Sequence, residues 1–265
     1  MKALSILYHD VIEGEDYDSS GFPGPAAARY KVSVAEFEKH LEAISLAVHS
    51  PPVTVFDLTH ENRREPKVLL TFDDGGASAP RIAAMLEQRG WRGHFFITTD
   101  YVGASAFINA GQIRALREQG HVIGSHSCSH PQRMSACSPG EIFREWRQST
   151  QVLADILGEP VTIASVPRGN HSAKVAYAAA EAGIRFLFTS EPTPRCSITD
   201  GCCILGRYVI LKGMLPRSSA DFAAGRFLPR FQQWAFWNAK KLVKKIGRGY
   251  YDRLREFSLR DGNQS

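Results

Sequence analysis

Two adjacent carboxylates, Asp73 and Asp74, follow the apolar run LLTF and precede two glycines. Two like charges at a strand end repel each other unless a cation or a proton lies between them. Farther along the chain, His126 and His130 are four residues apart, a spacing that puts both imidazoles on one face of a helical turn. Two imidazoles and a carboxylate can hold a divalent ion and leave a position for water, as in catalytic zinc sites. The pattern predicts metal-assisted hydrolysis, with Asp74 as the third ligand and Asp73 as the base that takes a proton from the attacking water.

Strand-like and helix-like segments that would position these residues alternate up to about residue 214. Strands are predicted at 4–10, 67–72, 93–99, 121–125, 161–165 and 185–190, and helices over 33–48, 79–90, 109–119, 138–157 and 172–182. Ligands of parallel α/β sheets and barrels bind at the carboxyl ends of the strands. We therefore expect one shared mouth for the polar residues at these ends, which are His9, Asp73, Asp74, Ser125, His126 and Ser165.

The composition fits a folded α/β protein, because 265 residues with 43% hydrophobic content can form a sizeable core. The five cysteines show no CxxC spacing, which indicates reduced thiols. The start MKALSILYHDV has neither a signal-peptide core nor a cleavage site, and no window approaches the ~20 apolar residues of a membrane span. We expect a cytoplasmic protein.

The positive charge of the chain lies in its last part. Residues 215–265 carry 11 Lys and Arg against 4 Asp and Glu, whereas residues 1–214 carry 21 against 23. No basic stripe precedes residue 215, so nucleic acid is not expected as a partner. Aromatic residues mix with Lys and Arg over 225–257, and this segment is expected either to pack on the main domain or to lie on an anionic membrane at its inner face. Two parts follow, a catalytic domain over 1–214 and a basic helical extension over 215–265.

TFDDG followed by HSCSH resembles the first two motifs of the metal-dependent polysaccharide deacetylases, carbohydrate esterase family 4, which carry the NodB homology domain. The resemblance covers about residues 4–214 and includes GHFFITT. It implies a distorted (β/α) barrel that removes N-acetyl groups from the amino sugars of a polysaccharide or its precursor. It also implies Asp73 as catalytic base and Asp74, His126 and His130 as ligands of one divalent ion. Zinc is favoured, and nickel, cobalt and iron are the alternatives.

The third motif of that family, Arg-Pro-Pro-Tyr-Gly, is present here as SVPRG, with Ser165 at the position of the arginine. The arginine of the family orients the base. Arg168 either substitutes for it or is a surface charge, and the backbone N–H of Arg168 would help to hold the oxyanion. The resemblance assigns Ser165, Pro167 and Gly169 to substrate binding.

The general acid must come from outside the usual last motif, because no histidine follows His171. LYHDV at 7–11 resembles the opening of the poly-N-acetylglucosamine deacetylases, in which the motif order is permuted and an N-terminal histidine protonates the leaving amine. This implies His9 as the general acid, with His171 as the alternative. An imidazole with a pKa of about 6.5 can give up a proton near neutral pH. The remaining histidines are interpreted as structural or surface residues.

Two other functions remain open at this point. A glycan-binding or scaffold protein would keep the fold without turnover, which the altered third motif favours. A non-haem Fe(II) oxygenase would use the two histidines and one carboxylate as a facial triad. It would not explain the paired aspartates or His9. The sequence leaves open whether the sugar is polymeric, lipid-linked or nucleotide-linked.

Overall fold

Strands and helices alternate along the chain in a computed structural model that describes residues 2–58, 66–169 and 171–239. The strands are β1 (Ala3–Tyr8), β2 (Val11–Ile12), β3 (Val32–Ser33), β4 (Lys67–Phe72), β5 (His94–Ile97), β6 (Val122–Ser125), β7 (Ile163–Ser165), β8 (Phe186–Phe188), β9 (Ser197–Thr199), β10 (Cys202–Leu205) and β11 (Tyr208–Val209). The α-helices are α1 (Pro25–Ala28), α2 (Val34–Ala47), α3 (Ala79–Glu87), α4 (Ala110–Glu118), α5 (Pro139–Leu157), α6 (Ala173–Glu181) and α7 (Pro216–Ala223), followed by a helix over 227–239.

One large sheet organises the molecule, with the strand order β11-β1-β4-β5-β6-β7-β8-β10-β9. Its neighbours pair in parallel except β9, which is antiparallel to β10. The sheet curls, because the chain after β8 returns to the start of β1, where Ala3 N donates to Pro194 O at 3.0 Å. The predicted distorted (β/α) barrel is confirmed, in the form of a curled half-barrel with helices outside.

The sequence of each element explains why it forms. β4, KVLLTF, is apolar almost throughout, as expected for a parallel strand covered on both faces, and its last five residues are buried. α2 and α5 each begin with a capping box, in which Ser33 pairs with Glu36 and Ser138 with Glu141. Gly158 ends α5 in the left-handed conformation (φ 72°) that a glycine adopts without steric cost.

The structure adds elements that the sequence patterns did not predict. The pair β2–β3 and the strands β9 to β11 contain two to four residues each, too few to show a clear period. α7 lies beyond residue 214 and packs against α2, and its Phe222 stacks on Tyr208 with ring centroids 5.1 Å apart. The boundary at residue 214 stays a prediction.

Two further expectations concern the cysteines and the membrane. All five cysteines are free, as predicted. None of the helices in the described ranges combines the length and the apolar composition that crossing a bilayer requires.

Candidate active site

The carboxyl ends of neighbouring strands form a mouth that collects the polar residues. His9 follows β1, Asp73 and Asp74 follow β4, His126 follows β6, and Ser165 ends β7. These strands are consecutive in the sheet apart from β5, which lies between β4 and β6. Side chains that are far apart in sequence therefore lie within contact distance.

Asp74, His126 and His130 form a compact group of potential metal ligands. Asp74 Oδ1 lies 3.4 Å from His126 Nε2 and 3.6 Å from His130 Nε2, and the three ligand atoms lie within 4.8 Å of one another. His126 Nδ1 is 3.0 Å from the Ser165 carbonyl oxygen, and this contact orients the ring with Nε2, its candidate ligand atom, on the side of Asp74. Two imidazole nitrogens and a carboxylate oxygen in a largely buried position suit a divalent ion such as zinc.

The three candidate ligands differ in charge: burial lowers the pKa of His126, but the carboxylates of Asp73 and Asp74 outweigh burial and raise it above its usual value. Burial raises the pKa of Asp74, but the hydrogen bond from His126 and the charge of His9 outweigh burial, so the pKa of Asp74 lies below its usual range. Burial, together with the charge of His126, lowers the pKa of His130 to about 4. His130 is therefore neutral at physiological pH and has a lone pair to offer.

The segment that carries the two histidines is a loop, so the predicted helical turn is wrong. Ser127 and His130 have φ angles of 68° and 55°, in the left-handed region that non-glycine residues seldom adopt. Hydroxyl groups hold this conformation: Ser125 Oγ accepts from the N–H of Ser127, and Ser127 Oγ accepts from the N–H of His130. Asp74 has a similar φ of 79°. Such conformations concentrate where the surrounding structure fixes a functional geometry.

Glu145 on α5 fixes the same loop from outside the metal group. Its carboxylate accepts from the N–H groups of Cys128 and Ser129, both at 2.9 Å, and from Ser129 Oγ at 2.6 Å. Bonds to an ionised carboxylate are stronger than neutral ones. Glu145 therefore holds the backbone between the two histidine ligands, a role that no sequence motif indicates.

Replacing Glu145 by Gln is expected to weaken metal binding by about tenfold, because the loop between His126 and His130 loses its charged anchor. Competition with a chromophoric chelator measures the affinity. Glu141→Gln on the same helix is the control, since Gln also completes a capping box. Equal affinity of wild type and Glu145→Gln would contradict the anchoring role.

Arg207 holds Asp73 through a bidentate ion pair. Its Nη1 and Nη2 donate to the two carboxylate oxygens at 2.7 and 2.8 Å, and its Nε donates to the Thr189 carbonyl at 2.9 Å. Ser165 Oγ donates to Asp73 at 3.1 Å and accepts from Arg207 Nη2 at 2.7 Å. Burial raises the pKa of Asp73, but the Arg207 guanidinium and then His126 outweigh it, so the pKa lies below the usual range. Asp73 is therefore an oriented, ionised carboxylate beside the candidate metal ligands.

Arg207 makes the contact to Asp73 that the sequence analysis suggested for Arg168. The Arg168 side chain is exposed in the turn Pro167–Gly169, where the φ of Arg168 is 55°. Its positive charge helps to lower the pKa of His130. Arg207 was missed because it lies outside any motif, in the connection between β10 and β11. The one sequence signal is an arginine inside the apolar stretch CCILGRYVI. Gly206 precedes it, where an added Cβ would lie 2.3 Å from the Glu191 carbonyl oxygen, so only glycine allows this close approach.

The two candidate proton donors are His9, which lies at the mouth, and His171, which comes after the turn Pro167–Gly169. The charge of His9 acts on both Asp73 and Asp74, and its Nδ1 is buried with no hydrogen-bond partner among the described residues. Its ring centroid is 4.8 Å from that of Tyr30. His171 follows the turn and donates its N–H to the Gly169 carbonyl at 2.8 Å. The role of either histidine as proton donor stays a prediction.

The other predicted residues of the third motif line the turn after β7. Pro167 is buried, and Gly169 has φ 62° with Ser190 Cβ only 2.7 Å from where its own Cβ would lie. Their contact with substrate stays a prediction. Three remaining histidines are buried and bonded to backbone groups, as expected for structural residues: His40, His94 and His121. His60 lies outside the described residues.

The curled sheet with helices outside is a distorted (β/α) barrel, and comparison with known proteins shows what it resembles. Residues 60–187 match the family model of polysaccharide deacetylases. Nearly half of the chain, including both predicted motifs, is thus of the polysaccharide deacetylase type, as the resemblance implied.

Relatives and solved structures agree with this assignment. The peptidoglycan-N-acetylglucosamine deacetylase PgdA of Listeria monocytogenes is 26% identical over 158 residues, which are 59% of this chain but only 32% of that protein. The structure of the Streptococcus pyogenes deacetylase PplD in complex with acetate is similar with a TM-score of 0.66 and 19% identity, over 82% of this chain and 96% of that chain. IcaB from Ammonifex degensii is similar with a TM-score of 0.64 and 22% identity, over 84% and 97%. At these identities the solved structures show a shared fold.

Proposed function

We propose that this protein is a metal-dependent glycan N-deacetylase. It hydrolyses the N-acetyl groups of amino sugars in a polysaccharide or its precursor and releases acetate. The observation that carries the proposal is the pairing of an ionised, oriented Asp73 with the adjacent ligand group of Asp74, His126 and His130. The names of several relatives, a peptidoglycan-N-acetylglucosamine deacetylase and a chitin deacetylase, support an N-acetylated sugar as substrate.

Each residue of the mouth has a separate role in amide hydrolysis. A divalent ion held by Asp74, His126 and His130 would lower the pKa of a bound water and polarise the acetamide carbonyl. Asp73 accepts the proton of the attacking water, and Arg207 keeps the carboxylate oriented for this transfer. The backbone N–H of Arg168 donates to the developing oxyanion.

His9 completes the reaction by donating a proton to the departing nitrogen as the C–N bond breaks. The products are acetate and a free amino sugar, so one water is consumed for each acetyl group removed. The turn around Ser165, Pro167 and Gly169 contacts the sugar.

Acetate release with and without metal tests the proposal. The protein is stripped with a chelator, reloaded with zinc, nickel, cobalt or iron, and assayed on N-acetylated oligosaccharides that include chitin and peptidoglycan fragments. We expect release to stop on stripping and to return on reloading. Binding of a glycan by the metal-loaded protein without acetate release would favour the scaffold function instead.

Replacing Asp74 by Ala is expected to abolish stoichiometric metal binding, because only two imidazoles of the ligand group remain. Metal content after gel filtration measures this directly. Asp155→Ala, a change on the exposed side of α5, is the control and should keep the metal. Full metal content in the Asp74 variant would contradict the ligand assignment.

The oxygenase alternative has a separate test. A facial triad of two histidines and one carboxylate does not explain the bidentate pair of Asp73 and Arg207. Consumption of oxygen with a keto-acid by the iron-loaded protein would favour it over hydrolysis.

The location of the protein is also a proposal. We propose a cytoplasmic protein that contacts the inner face of a membrane through residues 225–257, as their basic and aromatic composition favours. Residues 240–257 of this segment lie outside the described ranges.

A further inference from the structure

The helix over 227–239 carries the most conspicuous apolar surface of the described residues. Phe227, Leu228, Phe231 and Trp234 are 72, 61, 46 and 43% exposed. The rings of Phe227 and Phe231, and those of Phe231 and Trp234, stack with centroids 5.7 Å apart. Spacings of three and four residues place these four side chains on one face of the helix, called here the aromatic stripe. Contiguous exposed apolar patches of this kind mark interaction surfaces.

A different side of the helix attaches it to the barrel. The side chain of Gln233 donates from Nε2 to the Val209 carbonyl at 2.8 Å and accepts from the Val209 N–H at 3.0 Å. These two bonds satisfy backbone groups of β11, the edge strand of the large sheet. Gln233 lies two residues from Phe231, about 200° around the helix axis. The aromatic stripe is therefore held in place without being used to hold the helix.

The attachment point lies at the edge of the active-site mouth. Val209 is the last residue of β11 and pairs in register with Leu7 of the parallel strand β1. His9 follows Leu7 by two residues. The helix that carries the aromatic stripe is thus attached to the strand next to the one that leads to His9.

The positive charge of the sequence near the aromatic stripe indicates which kind of partner the stripe binds. Residues 215–265 carry 11 Lys and Arg against 4 Asp and Glu, and the stretch KKLVKK follows the described helix directly at 240–245. An apolar stripe with adjacent basic residues fits the interface of an anionic bilayer, where the apolar side chains enter the headgroup region and the cations pair with lipid phosphates. A second copy of this chain would bring two strongly positive segments together, which is unfavourable.

We propose that the aromatic stripe binds the surface of an anionic lipid bilayer and holds the active-site mouth at that surface. The substrate is then a glycan carried on a membrane lipid. The statement about substrate rests on the proposed deacetylase function, whereas the statement about binding does not.

Vesicle co-sedimentation of the full chain tests the binding. Vesicles of phosphatidylcholine alone are compared with vesicles that contain phosphatidylglycerol, at low and high salt. We expect at least about tenfold stronger binding to the anionic vesicles, with loss of the preference at high salt. The variant with Phe227→Ser, Phe231→Ser and Trp234→Ser should bind at least about tenfold more weakly than wild type.

A matched control separates this effect from a general loss of surface aromatics. Tyr177 on α6 is 51% exposed, and Tyr177→Ser should leave vesicle binding unchanged. Circular dichroism checks that each variant is folded. Equal binding of wild type and triple variant, or equal binding to neutral and anionic vesicles, would overturn the proposal. Concentration-dependent dimers that disappear in the triple variant, without any vesicle binding, would also overturn it and identify the stripe as a self-association surface.

Failure of this proposal and failure of the proposed function give different results. Membrane binding does not require turnover. Binding to anionic vesicles without acetate release from any glycan would therefore reject the proposed deacetylase function but not the proposed membrane binding. The activity measurement compares one N-acetylated glycan in solution with the same glycan on a lipid carrier in anionic vesicles. We expect higher kcat/KM on the vesicle-borne glycan, and loss of that advantage in the triple variant with unchanged kcat/KM on the soluble glycan. A kcat/KM that is no higher on the vesicle-borne glycan, or an advantage that the triple variant keeps, would reject the lipid-borne substrate.

Discussion

The rate of acetate release is expected to fall by about 10²–10⁴-fold when Asp73 is replaced by Asn, while the metal remains bound. Asn has nearly the same shape and can still accept one hydrogen bond from Arg207, but it cannot take a proton from water. The metal should remain because Asp73 is not one of the candidate ligands Asp74, His126 and His130. Acetate release and metal content of the same sample measure both parts of the prediction.

The control for this result is Asp74→Asn, which should lose metal and activity together. Asp73→Asn also removes the counter-charge of the buried Arg207, so thermal unfolding is measured in parallel to show that the protein is folded at the assay temperature. A folded, metal-loaded Asn variant with full activity would remove Asp73 from the role of base.

The fold was predictable where a single element carries its own signal. β4 has the predicted bounds because KVLLTF is a continuous apolar run between polar flanks. α2 and α5 begin within a residue of prediction because Ser33 and Ser138 are recognisable caps. The strands β9 to β11 were missed because their pairing depends on partners far away in the chain and each is too short to show a pattern.

The sequence predicted which candidate ligands lie together in the site, but not the residues that support them. The spacing of His126 and His130 correctly placed the two imidazoles together, although a strained loop rather than a helical turn does so. Glu145 and Arg207 are the supports, one for the histidine loop and one for Asp73. Neither lies in a motif, because a supporting residue has only to reach the site in space and can come from any neighbouring element.

Ser165 and Arg207 together fill the space beside the base. Ser165 has a small side chain, and its hydroxyl bonds both to Asp73 and to Arg207. The guanidinium also lies over the Phe96 and Phe188 rings, at 5.8 and 6.0 Å from their centroids. A long side chain at 165 would compete with Arg207 for this space. Arg207, in the connection between β10 and β11, thus makes the contact to Asp73 that the resemblance implied for an arginine at position 165.

Removing that arginine is expected to have the second large effect. Arg207→Ala leaves Asp73 buried with no cationic side chain bonded to it, so the free energy of unfolding should fall by about 3–5 kcal/mol. The kcat should fall because the base loses its orientation, whereas KM should change little because Arg207 is fully buried and cannot reach the substrate. Urea unfolding and steady-state kinetics measure the two effects. Unchanged kcat in a folded Arg207→Ala protein would contradict the positioning role.

An exchange of the two positions distinguishes positioning from a merely structural role. The double variant Ser165→Arg, Arg207→Ser supplies a guanidinium from the motif position and empties the space that Arg207 occupied. We expect it to recover part of the kcat that Arg207→Ser alone loses, since a guanidinium at either position can bond both oxygens of Asp73. Arg207→Lys should recover less, because an ammonium group cannot make the bidentate contact. Recovery of stability without recovery of kcat in the exchange would show that Arg207 only fills and neutralises the site, and that Asp73 takes its orientation from Ser165 instead.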